Sequence, residues 1–203
     1  HPLIIKVGSI QAARMQVYFI DSEDFFQRKA VFHDKKTGEE FKDNDERAIF
    51  FVRGVLETVK KLGWVPDIIH CHGWMTALVP MYVKRIFEDE PLFEISKTIY
   101  SAYGNNFKGE LNSTFAKKVQ FDDEVDAEDT ELILDPSFDN LNKLGLAYAD
   151  GVAIGDENVS EETLAFMKNL NKPSLNYQGL EGDVEIYEEF YNTVLENDSV
   201  LAE

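Results

Sequence analysis

The sequence predicts an α/β fold: a three-layer, Rossmann-like domain with a mainly parallel sheet. Two observations carry this. Apolar runs of strand length alternate with longer segments whose apolar residues recur at helical spacing, and such alternation implies parallel βαβ units. The helical segments also open on Ser, Asp or Asn, and the first closes on Gly. A third observation locates a site. A polar cluster, His70-Cys71-His72, follows the apolar run Ile68-Ile69 directly, and ligands of doubly wound sheets bind just beyond the carboxyl ends of the strands.

Taken in order, Leu3–Val7 and Met15–Ile20 read as strands, with a turn signal at Gly8-Ser9. Ser22 to Phe41 mixes charges around Gly38 and reads as a surface excursion. Asp43, Asn44 and Asp45 can cap a helix in which Ile49, Val52, Leu56, Val59 and Leu62 form the apolar stripe. Gly63 ends it and Pro66 forces an extended turn. Asp67–His70 is then expected as the central strand, buried on both faces. The flanking helices span Asp45–Leu62 and Trp74–Phe87.

Lys97–Ser101 is the next strand, and Gly104-Asn105-Asn106 is a turn signal. Asp122 to Glu131 holds seven acids and no base, the composition of a solvated loop. It is not a calcium loop, because the sixth position is Ala127 and the twelfth Ile133, where an EF-hand needs Gly and Glu. Pro136-Ser137 start a helix through Tyr148, and Gly151–Ile154 is strand-like. Ser160 caps a helix that ends near Asn169, and its acids suit the positive end of the helix dipole. Ser174–Tyr177 is extended. A last helix, Val184–Leu195, carries Val184, Tyr187, Tyr191 and Val194 on one stripe, with Ile186 and Phe190 beside it.

The length of 203 residues fits one such domain over residues 1–203, and 44% hydrophobic and 12% aromatic content are globular values. Charge is uneven. Residues 1–84 hold 12 basic and 11 acidic side chains, residues 85–203 hold 8 and 27, so the second part carries nearly all of the net −18. Such a field repels phosphate backbones and anionic lipids, so no nucleic-acid or membrane partner is expected, while a neutral glycan is not repelled. The single cysteine, Cys71, excludes an internal disulfide, and with no signal peptide or membrane-length run the expected location is cytoplasmic. The chain opens His-Pro-Leu-Ile-Ile without a starting Met. It reads as a fragment beginning just before a strand, with a neighbouring strand left as an open edge that invites a homodimer.

His70 and His72, two apart on a strand, point to one face and Cys71 to the other. The pair could ligate zinc, but three or four ligands are needed and only His1 and His33 remain. The simpler reading has both imidazoles hydrogen-bonded to backbone at the edge of a cleft, so no metal is expected. Cys71 reads as a packed small hydrophobe. Gly151-Val-Ala-Ile-Gly-Asp is not a dinucleotide fingerprint, and no P-loop or nucleophile elbow occurs, so no cofactor is expected.

The central stretch also carries a resemblance. Asp43, Asn44, Arg47, Phe50 and Phe51 match a DNxxRFxFF helix start, and Pro66–His72 with Trp74 match a KPDIIHCHDW strand end. Val17–Asp21 resembles a VYFID strand, and Tyr148–Val152 an ADxV strand entry. Over roughly residues 15 to 155 the chain resembles the bacterial glycogen and starch synthases, ADP-glucose-dependent glucosyltransferases of the two-domain GT-B type. The resemblance implies one half of a GT-B fold, glycogen metabolism, and glucan or ADP-glucose as ligands.

The same resemblance implies altered chemistry. Gly73 stands where these synthases place an active-site Asp. Their next strand end reads TVHNLAYQG, with His and Asn on the donor sugar; here Tyr103 and Gly104 occupy those positions. The Lys-x-Gly-Gly-Leu donor loop and the second domain, with its basic pair at the leaving diphosphate, are expected to lie outside this chain. The expectation is therefore a catalytically degenerate synthase half with no catalytic residues of its own. Its ligand cleft would be lined by His72, Gly73, Trp74, Tyr103, Gly104 and Asn105. Trp74, Tyr103 and Phe107 could stack on sugar rings there, and Trp74 reads at least equally well as a packing residue at a helix start. Two alternatives stand beside it: an active ADP-glucose glucosyltransferase subunit completed by a separate C-terminal domain, and an acidic regulatory protein docking on a basic protein partner.

Overall fold

The computed structural model describes residues 2–104, 107, 109–120, 123–179 and 184–197. Two sheets form. The strands β1 (Ile4–Ile10) and β2 (Met15–Asp21) pair antiparallel as a hairpin, and β3 (Ile68–His72), β4 (Lys97–Ala102), β5 (Gly151–Ile154) and β6 (Ser174–Leu175) form a parallel sheet in that order. Helices α1 (Asn44–Leu62), α2 (Val79–Lys84), α3 (Phe115–Val119), α4 (Phe138–Tyr148), α5 (Glu161–Lys168) and α6 (Val184–Glu196) complete the fold, with 3₁₀ turns at Gln11–Ala13, Trp74–Thr76 and Glu131–Leu134.

The alternation of strand faces makes this a three-layer arrangement. Cys71, Tyr100 and Val152 look toward α1, α2 and α4, joining Val52, Leu56, Tyr82, Leu141 and Leu144 in the larger buried cluster. Ile99, Ala153 and Leu175 look the other way, toward Phe190 and Val194 of α6. Helix α4 reaches the sheet because Gly145 has no side chain: a Cβ there would stand 2.7 Å from the Tyr100 ring. The Tyr100 hydroxyl donates to Asn142 Oδ1 at 2.9 Å, which satisfies a phenol buried in the core.

Several expectations are corrected. The helix expected over Trp74–Phe87 is a 3₁₀ turn at Trp74–Thr76 followed by the short α2, Val79–Lys84. Strand β3 is an edge of the sheet, not its centre; Ile68 and Ile69 are half-buried, and the fully covered strand is β4. The β1–β2 connection lies at Gln11–Arg14, where Arg14 adopts a left-handed conformation, so β1 runs straight through Gly8-Ser9. The acidic segment is not simply solvated. Asp129 and Thr130 are buried, and Asp129 Oδ1 accepts from Arg85 Nε at 2.7 Å and Tyr148 OH at 2.5 Å. Partners from the residue just after α2, Arg85, and from α4, Tyr148, explain why a carboxylate from an acid run is buried. In α6 the buried side chains are Phe190 and Val194, while Val184 is exposed.

Candidate functional site

Register sets the rim of the candidate cleft. His72 pairs with Ser101 and Ala102 with Ile154, so the ends of β3, β4 and β5 open on one side. His70, His72, Ser101 and Tyr103 share the face that α6 partly covers. The two imidazoles stack, with ring centroids 4.0 Å apart and planes 28° off parallel.

Side chains, not backbone, hold the histidines, which corrects the simpler sequence reading. His70 Nδ1 lies 2.8 Å from Tyr191 OH of α6, and its Nε2 lies 2.7 Å from Ser101 Oγ. A neutral imidazole has one donor and one acceptor nitrogen, so one of these hydroxyls donates and the other accepts. Burial, and secondarily the neighbouring His72, pull the His70 pKa down to about 4. His72 Nδ1 lies 2.9 Å from Tyr103 OH, and burial lowers its pKa as well. Both nitrogens of His70 are thus engaged, and a metal would have to displace a hydroxyl. Among the described residues no three His, Cys, Asp or Glu side chains converge as metal ligands. Cys71 is buried, and burial pushes its thiol up to about 12, far from a nucleophile's range.

The remaining rim residues separate. Gly73 has φ +74° and ψ 170°, a region essentially restricted to glycine, and a Cβ there would meet open space. Trp74 is only 4% exposed, wedged between Phe32 and Phe107 at 5.1 Å from each ring. Its indole belongs to the core, as does Phe107. Tyr103 covers Gly155, where a Cβ would fall 2.4 Å from its ring. Gly104 is the most enclosed. A Cβ would stand 2.1 Å from the Asn158 carbonyl oxygen, and its N–H donates to both Asp156 oxygens at 3.0 and 3.1 Å. Asn105 lies outside the described residues.

The helix-start motif does a different job. Arg47, buried, donates from Nε to the Phe25 carbonyl (3.0 Å) and from Nη1 to the Val31 carbonyl (2.7 Å) and Asn44 Oδ1 (2.6 Å). Asn44 donates to the Phe32 carbonyl at 2.8 Å. The Asp43 carboxylate turns away from the helix to take a two-point contact from Arg28, which holds its pKa below the usual carboxylate range. The motif therefore clamps the Ser22–Phe41 excursion onto the start of α1.

The profile of the family described as the starch synthase catalytic domain matches residues 2–183. The chain belongs to that family. It is 35% identical over 150 residues to a glycogen synthase of Chlorobium luteolum, covering 73% of this chain and 29% of that protein. A glycogen synthase of Pelodictyon phaeoclathratiforme is 32% identical over 162 residues, 79% of this chain and 32% of that one. The chain thus spans about a third of the length of these relatives. The catalytic domain of starch synthase IV from Arabidopsis thaliana, solved with ADP and acarbose, superposes with a TM-score of 0.64 at 18% identity, over 86% of this chain and 36% of that one. That likeness confirms the mixed α/β fold with its parallel sheet.

Within this starch synthase domain, sequence reasoning missed four residues that organise the rim: Ser101, Asp156, Asn158 and Tyr191. Only Asp156 had a local signal. It follows a strand and Gly155, the setting of an Asx turn, and its Oδ1 does accept from Asn158 N at 2.8 Å.

Proposed function

We propose that this starch synthase domain does not by itself transfer glucose from ADP-glucose, and that it acts in the cytoplasm by binding glucan. The observation that carries the reading is the enclosure of Gly104. Where the resembled synthases place an amide on the donor sugar, the space for a side chain is taken by the Asn158 backbone, and the peptide N–H is spent on Asp156. Gly73 offers neither charge nor hydrogen bond where those enzymes place a carboxylate. Transfer depends on preorganised groups facing developing charge, and loss of one such donor typically raises a barrier by about 2.7–4 kcal/mol. Three rim positions, Gly73, Tyr103 and Gly104, are changed together here.

Co-sedimentation of the purified chain with glycogen at low and high salt tests the binding reading. Glucan recognition through hydroxyls and rings persists at high salt, whereas docking of the acidic second half on a basic partner does not. The second reading is a transferase completed by a separate C-terminal domain of the kind the two-domain synthases carry. It requires activity to appear when such a domain is added.

A further inference from the structure

Strand β1 pairs with β2 through seven consecutive rungs without a bulge, and among the described residues nothing pairs with its other edge. Such an edge, about 24 Å long at the usual strand rise, presents a row of backbone donors and acceptors that another strand can take up. Sheet edges are commonly guarded by charge, Pro or a bulge. The one charged residue of β1 is Lys6, and its ammonium is drawn across the hairpin to Asp21 of β2.

The ground beneath the strand is open as well. Cavities of about 690 and 480 Å³ lie side by side between β1 and α1, with Leu3 and Glu57 in the walls of both. Ile49 and Phe50 line the first, and Ile5, Val7 and Leu62 the second. Val7 is 56% exposed although it lies on this apolar side. On the other side of the hairpin Ile10, Met15 and Phe19 are exposed too.

Charge and symmetry say what covers this surface. Residues 1–21 hold two basic side chains and one acidic, in a chain of net charge −18. Two copies repel through their acidic second parts and can meet at the near-neutral hairpin, whereas a basic partner is drawn to the acids instead. The β1 sequence also pairs antiparallel with itself. Centred on Val7, the rungs set Val7 against Val7, Lys6 against Gly8, Ile5 against Ser9 and Ile4 against Ile10, so no like charges stand opposite. Facing side chains share one side of a sheet, which puts Ile5 and Val7 of both copies on the cavity side.

We propose that β1 is a dimer interface, at which two copies of this chain pair their β1 strands antiparallel about Val7 and join the two hairpins into one four-stranded sheet. The contact uses the same edge on both copies and so closes at two. It is independent of the glucan-binding reading.

Light scattering of the purified chain against concentration tests this. The mass should rise from 23.2 kDa toward twice that value. Added salt should strengthen the dimer, because it screens the repulsion between the acidic parts. Val7→Lys sets two ammonium groups face to face on the two-fold axis and should raise the dissociation constant about tenfold or more. Val7→Glu should do the same. Mixing the two variants should bring the dimer back, which variants damaged in their fold could not do. A mass that stays at one copy at every concentration would leave β1 to a strand of another polypeptide and overturn the proposal. A dimer that dissolves in salt, a dimer that Val7→Lys leaves intact, or variants that stay apart when mixed would overturn it equally.

Discussion

The imidazole of His70 stacks on that of His72 with 4.0 Å between ring centroids, and each ring is tied to a tyrosine hydroxyl, Tyr191 and Tyr103 respectively. Stacked imidazoles cannot both be charged without repulsion, and His70 is also desolvated by α6. His70 is therefore held neutral, and the pair links the last helix to the edge of the sheet.

This arrangement makes stability depend on pH. An unfolded histidine titrates near 6.5, while folded His70 stays neutral down to about 4. Below pH 6.5 the unfolded chain takes up a proton that the folded one does not. Stability is thus fully present above 6.5 and falls as pH drops toward 4. Discounted for partial exposure, the loss should be on the order of 1–2 kcal/mol. Urea unfolding of the unaltered chain and of His70→Asn across pH 4–7 checks it: the slope over this window should be shallower in the variant.

Restoring the residues of the resembled synthases should not be neutral. Gly104→Asn forces a Cβ onto the Asn158 carbonyl and should cost roughly 1–3 kcal/mol or more, with the loop after β5 displaced. Gly73→Asp meets open space, so its cost is the backbone conformation alone, about 1–3 kcal/mol. Denaturant midpoints should fall for both, but only Gly104→Asn should shift the amide resonances of Asp156 and Asn158.

Trp74→Ala should destabilise the fold by about 3–5 kcal/mol, because the indole is buried between Phe32 and Phe107. A melting temperature close to that of the unaltered chain would contradict this and return Trp74 to the cleft surface.

Local signals made most of the fold legible. Ser137 and Ser160 cap their helices by accepting from Asn140 N and Thr163 N, and Gly63 closes α1 in the left-handed conformation that only a residue without Cβ adopts freely. What local signals do not encode is lateral order. Whether β3 lies in the middle or at the edge depends on which strands pair with it, and nothing within Ile68–His72 states that. The site was legible in the same proportion. The strand-end position of His72, Gly73 and Tyr103 could be read from the motif, but the partners that decide their behaviour come from distant segments: Tyr191 from α6, Asp156 and Asn158 from beyond β5. Trp74 shows the limit most plainly. Its place at a strand end fits a sugar platform and a packing residue equally, and only the excursion residue Phe32, held over it through Asn44, shows that the ring is covered.

The most direct test is incorporation of radiolabelled glucose from ADP-glucose into glycogen by the purified chain. No incorporation above the no-protein control is expected, while the same preparation sediments with glycogen. Sustained turnover by the purified chain would contradict the account, because the enclosed Gly104 and bare Gly73 would then form a working donor site.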